Sequence, residues 1–283
     1  MAEPITKRAM GDGVELELAI WEGQGKTILC VHGISASCRC WDTIAEALTP
    51  MHRILAIDLR GRGLSEKPSM EYSILHHCRD IYALLEDQCV ERTVIMGHSL
   101  GALIALTFGA QYPELVDRLI LVDGGGKLSE EQTKKVYAGI QPTLDRLGKV
   151  FPSREAYLDL MKKNHLLQPW NPALETYYLY ELEDVDGGVR SRVQPEHIQE
   201  EAENLRLLDI TESYPQIHCP VLILRATEGM QAQDDILLPE EAVERMLREI
   251  PDARCINLHG TNHYSIILQT DKKRDDAILA FLE

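Results

Sequence analysis

The sequence predicts an α/β fold interrupted by a helical insertion, and three observations carry that reading. Short apolar runs of strand character recur along the chain, at Thr27–Val31, Arg53–Ile57, 93–96, Val116–Val122, 220–225 and Ala253–Leu258. Helix-forming stretches alternate with them, the pattern of strands buried on both faces in a mostly parallel, doubly wound sheet. The alternation stops between about residues 127 and 214, where helical stretches rich in tyrosine show no convincing strand.

In chain order, 14–20 (VELELAI) alternates apolar and charged residues, as a half-buried antiparallel strand does, and Met10-Gly11-Asp12-Gly13 before it is a hairpin turn. The continuous apolar run Thr27–Val31 ends in His32-Gly33-Ile34-Ser35. A short helix is expected over 41–48, then the strand Arg53–Ile57, closed by Asp58-Leu59-Arg60-Gly61-Arg62-Gly63-Leu64-Ser65. Residues 73–86 place Ile74, Cys78, Ile81 and Leu85 on one helical face. Next comes Gly97-His98-Ser99-Leu100-Gly101 between a strand and a small-residue helix. The strand Val116–Val122 ends in Asp123 and three glycines. After the insertion come the 220–225 strand, a helix over 239–249, the strand Ala253–Leu258, the loop His259-Gly260-Thr261-Asn262-His263-Tyr264, and a terminal helix over 271–282. The expected organisation is one core domain, 1–126 with 215–283, and a helical cap, 127–214, closing over the sheet.

Chemistry concentrates at Ser99. A strand, a sharp turn and a helix with a serine at the apex make a nucleophile elbow, and glycines at 97 and 101 remove the Cβ atoms that would clash in so tight a turn. A serine hydroxyl attacks only if a base takes its proton. Among ten histidines, His263 is the candidate, because its loop follows a strand and lies at the same sheet edge as the elbow. His98, His259, His76 and His77 are weaker choices, His98 because neighbouring side chains in a tight turn point apart. The base needs a carboxylate behind it. Glu228, just past the 220–225 strand, is the expected acid, with Asp234, Asp235 and Asp123 as alternatives. The amides of Leu100 and Ile34 are the candidate oxyanion donors. His32 is read as shaping its loop by hydrogen bonding, and Asp58 and Arg60 as pairing or bracing loops at the strand edge.

Composition sets outer bounds. The 283 residues carry 29 Lys and Arg against 45 Asp and Glu, a net charge of −16, which argues against nucleic acid and anionic membranes as partners. Met1–Arg8 has no apolar core of a signal peptide and no run is long enough to span a membrane, so a cytoplasmic protein is expected. Seven scattered cysteines read as reduced thiols, and their spacing offers no metal site. No cofactor is expected, and the chain is expected to be a monomer or homodimer.

Ser99 in its elbow, His-Gly after one strand, Asp-x-Arg-Gly-x-Gly-x-Ser after the next, and a C-terminal Gly-x-x-His together resemble the α/β-hydrolase fold family. The resemblance covers about residues 5–125 and 218–283, with 127–214 in the place of that family's variable cap. It implies an eight-stranded, mostly parallel sheet with helices on both faces, Ser99 as nucleophile, His263 as base, and Ile34 and Leu100 as the oxyanion hole. The chain departs from the family after Arg225: Ala226 stands where a Gly is usual, Gly229 where an Asp is usual, and Glu228 one residue earlier. A serine nucleophile points to a carboxylesterase acting on a small to medium ester through an acyl-enzyme. Carbon–carbon bond hydrolysis and lactone opening use the same groups, and a slow-turnover small-molecule receptor is the alternative of another class. Tyr177, Tyr178, Tyr180 and Trp170 are candidates for a pocket lining or for ordinary core.

Overall fold

The computed structural model describes residues 3–283; Met1 and Ala2, the start of the expected core segment and of the leader reading, lie outside them. The chain opens with a hairpin, β1 (Ile5–Met10) and β2 (Glu15–Trp21), turned through Gly13 at φ 72° and closed by the Gly11 amide donating to the Val14 carbonyl at 2.8 Å. There follow β3 (Thr27–Val31), a 3-10 turn over Cys38–Trp41, α1 (Asp42–Leu48), β4 (Arg53–Ile57) and α2 (Ile74–Asp87), whose first turn is capped by the Ser73 hydroxyl. β5 (Thr93–His98) feeds α3 (Leu100–Gln111), and β6 (Val116–Val122) closes the first half. Between β6 and the next sheet strand lie α4 (Glu130–Leu144), α5 (Arg154–Lys162), α6 (Pro172–Tyr180), β7 (Leu182–Val185), β8 (Gly188–Ser191) and α7 (Pro195–Leu205). The chain ends with β9 (Val221–Ala226), α8 (Glu240–Glu249), β10 (Ala253–Leu258), the short α9 (Ser265–Leu268) and α10 (Lys272–Leu282).

Eight strands form one sheet in the order β1-β2-β4-β3-β5-β6-β9-β10. β2 runs antiparallel to both its neighbours and the other pairings are parallel. Alternate strand residues face opposite sides. Leu29, Val31, Ile95, Leu121 and Ile223 pack with α2, α3 and α8 on one face; Ile28, Cys30, Met96, Ile120 and Leu224 pack with α1 and α10 on the other. Both faces are covered, so the central strands read as unbroken apolar runs. α3 is nearly all buried and correspondingly apolar on every side.

One expectation fails here. The segment from 127 to 214 contains a two-stranded antiparallel ribbon, β7–β8, joined at Gly187 (φ 88°) and extended by a bridge from Phe151 to Val189. Each strand is only four residues long, and between them they carry Glu183, Asp184 and Arg190, so no apolar run announced the ribbon. The seven cysteines stand unpaired, and among the described residues no helix is long and apolar enough to cross a membrane.

Candidate active site

The parallel strands end along one edge, and the chemistry gathers there. β5 delivers Ser99 at φ 55° and ψ −116°, a conformation that costs a non-glycine residue on the order of 1–3 kcal/mol. The turn is held by its surroundings. The Ser99 amide donates to the Val122 carbonyl at 3.1 Å, and the Ala102 amide to the Ser99 carbonyl at 3.0 Å. The two elbow glycines allow main chains to touch: a Cβ on Gly97 would lie 2.1 Å from the Gly101 carbonyl oxygen, and one on Gly101 would lie 1.9 Å from that of Val31. Leu100 opens α3, so its N–H belongs to the first turn, where donors lack helical acceptors and the helix dipole is positive.

His263 lies on the loop after β10, 6% exposed. Its Nδ1 stands 2.8 Å from Oδ2 of Asp123, a buried residue at the end of β6. The other Asp123 oxygen accepts from the Ala226 amide at 3.1 Å, so neighbouring strands β6 and β9 fix the carboxylate between them. Asp123 itself adopts φ 45°, which asparagine and aspartate tolerate better than most residues. A carboxylate oxygen accepts, so His263 Nδ1 is the donor of this bond, and Nε2 is the ring nitrogen that takes no part in it.

The carboxylate expected behind the histidine is therefore misplaced in the sequence reading. Glu228 is exposed, and its main-chain amide donates to the Thr261 carbonyl at 2.9 Å. Asp234 is exposed and paired with Lys135 at 2.9 Å. Asp235 is buried, but it closes its own turn by accepting from the Met230, Gln231 and Ala232 amides. In the loop after β9, Asp235 is thus engaged by its own turn and Asp234 by Lys135 of α4, while Asp123 reaches His263 from the end of β6. The signal in sequence was an aspartate directly after a buried strand and before three glycines.

His98 packs behind His263. Its ring stacks on His263 with centroids 4.5 Å apart, and its Nε2 donates to the His263 carbonyl at 3.0 Å. Burial, then the neighbouring His263, hold its pKa well below the ordinary histidine value, so it stays neutral. His259 is exposed, and His77 is buried under Glu201, away from this edge.

Ile34 is carried by the loop after β3. His32 shapes that loop: its Nδ1 donates to the Gly33 carbonyl at 2.7 Å and its Nε2 accepts from the Leu59 amide at 3.0 Å, a neutral tautomer consistent with a pKa lowered to about 4 by burial. Arg62 Nε donates to the Ile34 carbonyl at 2.9 Å. Asp58 accepts from the Cys38 and Leu64 amides and from the Tyr180 hydroxyl, and Arg60 forms a two-point pair with Asp80 at 2.7 Å. His32 and Asp58 brace their loops as expected, while Arg60 pairs with Asp80 rather than with Asp58.

A cavity joins these parts. Gly33, Ile34, Ser99 and His263 form its floor, and Ile140, Leu144, Arg146, Tyr177 and Tyr178 line it from the segment between β6 and β9. Tyr180 faces Asp58 instead, and Trp170 stacks on Tyr178, so the four aromatic candidates divide between lining and support.

A sequence model described as the alpha/beta hydrolase fold matches residues 26–270. An uncharacterized protein of Mycobacterium tuberculosis (strain ATCC 25618 / H37Rv) is 41% identical over 104 residues, which is 37% of this chain and only 30% of that protein. The 2-(acetamidomethylene)succinate hydrolase of Mesorhizobium japonicum is 27% identical over 243 residues, 86% of this chain and 83% of that enzyme. A crystal structure of E-2-(acetamidomethylene)succinate hydrolase superposes with a TM-score of 0.85 at 24% identity, covering 99% of both chains.

Proposed function

The chain belongs to the α/β-hydrolase fold family, and from that premise we propose that it is a serine hydrolase cleaving small to medium carboxylic esters through an acyl-enzyme. The observation that carries this reading is the Asp123–His263 hydrogen bond of 2.8 Å in the wall of the cavity that Ser99 lines. Ser99 attacks the ester carbonyl while His263 Nε2 takes its proton. Asp123 keeps the other ring proton on Nδ1 and stabilises the imidazolium that forms. The Leu100 and Ile34 amides receive the oxyanion charge. His263 then protonates the departing alcohol, and water, activated the same way, releases the acid. The segment over the cavity acts as a cap that shapes the acyl site with Ile140, Leu144 and the two tyrosines.

The test is hydrolysis of 4-nitrophenyl acetate and butyrate by the wild type and by Ser99→Ala. The expected loss is about 10³-fold or more in kcat/KM, and equal rates refute the assignment. The 2-(acetamidomethylene)succinate hydrolase relative, matched over most of the chain, motivates a second substrate for the same assay, 2-(acetamidomethylene)succinate itself. A rate on that compound exceeding the ester rates would move the reading from ester to amide-type hydrolysis at the same serine.

A further inference from the structure

One cation in the cavity wall has no use in the mechanism above. Arg146 follows α4, is 6% exposed, and lines the same cavity as Ser99 and His263. Its Nη2 donates to Glu181 Oε2 at 3.0 Å. Its Nη1 is buried and has no hydrogen-bond partner among the described residues. A guanidinium cannot shed its proton to escape that situation, and buried donors are almost always satisfied. Burial works against its charge, but Glu181 beside it sustains it, and its pKa stays above the ordinary arginine value.

The surroundings specify what would complete it. Glu181 is engaged on both oxygens, by Arg146 and by the Tyr157 hydroxyl. Burial pushes the Glu181 carboxyl up to about 7, so it neutralises the arginine incompletely near neutral pH. Beside the guanidinium stand Tyr177 and Tyr178, whose phenols burial keeps protonated and which can therefore donate. Two unused N–H groups of one nitrogen and neighbouring phenol donors match the oxygens of a single carboxylate. One partly offset positive charge balances one negative charge, not the two of a phosphate monoester.

We propose that Arg146 is the anion subsite of this cavity, binding a carboxylate that the substrate carries apart from the scissile carbonyl. The substrate class is then a half-ester of a dicarboxylic acid or a similar acyl compound with one free carboxylate. This rests on the serine-hydrolase reading of Ser99.

The experiment compares the monomethyl esters of succinic, glutaric and adipic acid with methyl butyrate, pentanoate and hexanoate, which match them in chain length. In the wild type at least one half-ester should exceed its neutral counterpart by about 10-fold or more in kcat/KM, expressed mainly in KM. Arg146→Gln should lower that ratio by about 10-fold or more, and Arg146→Lys, which keeps the charge and loses the fork, by less. Because Arg146→Gln strands Glu181, the double variant Arg146→Gln/Glu181→Gln is measured beside it. Neutral esters preferred at every length, or a preference that survives in both variants, overturns the proposal. Glutarate binding is read separately as a rise in melting temperature of the wild type and of Ser99→Ala, against glutaramide and inorganic phosphate as controls. Glutarate alone should stabilise. An equal response to glutaramide, or a response to phosphate with none to glutarate, also overturns it. If no ester is cleaved while glutarate still stabilises through Arg146, the hydrolase reading fails and the anion site stands.

Discussion

Asp123 Oδ2 and His263 Nδ1 lie 2.8 Å apart although 140 residues separate them in the chain. The pairing predicts a sharp contrast between two carboxylates. Asp123→Asn offers an amide where the imidazole needs an acceptor, and kcat on 4-nitrophenyl butyrate should fall by about 10³-fold or more with KM little changed. Glu228→Gln alters an exposed side chain and should stay within about twofold of wild type. The reverse ranking would return the acid to the loop after β9.

The elbow makes a second prediction through packing alone. A methyl group on Gly101 would meet the Val31 carbonyl oxygen at 1.9 Å, and main chain cannot rotate away as a flexible side chain can. Gly101→Ala should cost about 3 kcal/mol or more, seen as a lower urea midpoint. An unchanged midpoint would mean that β3 and α3 approach less closely than described.

Tyr180 ties α6 to the sheet edge, its hydroxyl donating to Asp58 Oδ2 at 2.6 Å. Tyr180→Phe removes a hydrogen bond to a charged group, while Asp58 keeps the Cys38 and Leu64 amides. The expected loss is about 1.5–3 kcal/mol. Since α6 also carries Tyr177 and Tyr178, KM for esters should rise more than kcat falls. A variant equal to wild type in urea unfolding and in KM would show that α6 is held without this bond.

Acid stability should report on Glu201. Its Oε2 accepts from Arg62 Nη2 at 3.0 Å and from His77 Nε2 at 2.7 Å. Burial would raise its pKa, but His77 and Arg62 outweigh that and lower it from 4.5 to about 2. A carboxyl with its pKa depressed by folding stabilises the protein above its unfolded value and loses that contribution as pH falls through the folded one. The window therefore opens near pH 4.5 and runs down toward 2. By pH 3 the loss from this group should be about 2 kcal/mol. Urea midpoints between pH 6 and pH 3 should fall more steeply for the wild type than for Glu201→Gln; parallel curves would contradict the assignment.

The sheet was legible because burial on both faces demands continuous apolar runs, and such runs stand out at Ile28–Cys30 or Leu119–Val122 without any tertiary information. The elbow was legible for a local reason too: Gly97, Ser99 and Gly101 are close in sequence and meet their steric demands within a few residues. The β7–β8 ribbon was not, since short strands carrying Glu183, Asp184 and Arg190 have no apolar signature. Nor was Arg146, whose significance lies in an unfilled donor beside a cavity.

The chain by itself thus determined the alternation of strands and helices, the strained serine turn at Ser99, and a histidine loop after the last strand, because each depends on neighbours in sequence. Which carboxylate stands behind His263 was decided by the order of strands in the sheet. Asp123 directly follows β6, whose two neighbours are β5, the strand that leads into Ser99, and β9, whose Ala226 amide holds one carboxylate oxygen while His263 takes the other. Glu228 lies far closer to His263 in sequence, but it is exposed to solvent, and a hydrogen bond is set by distance in space.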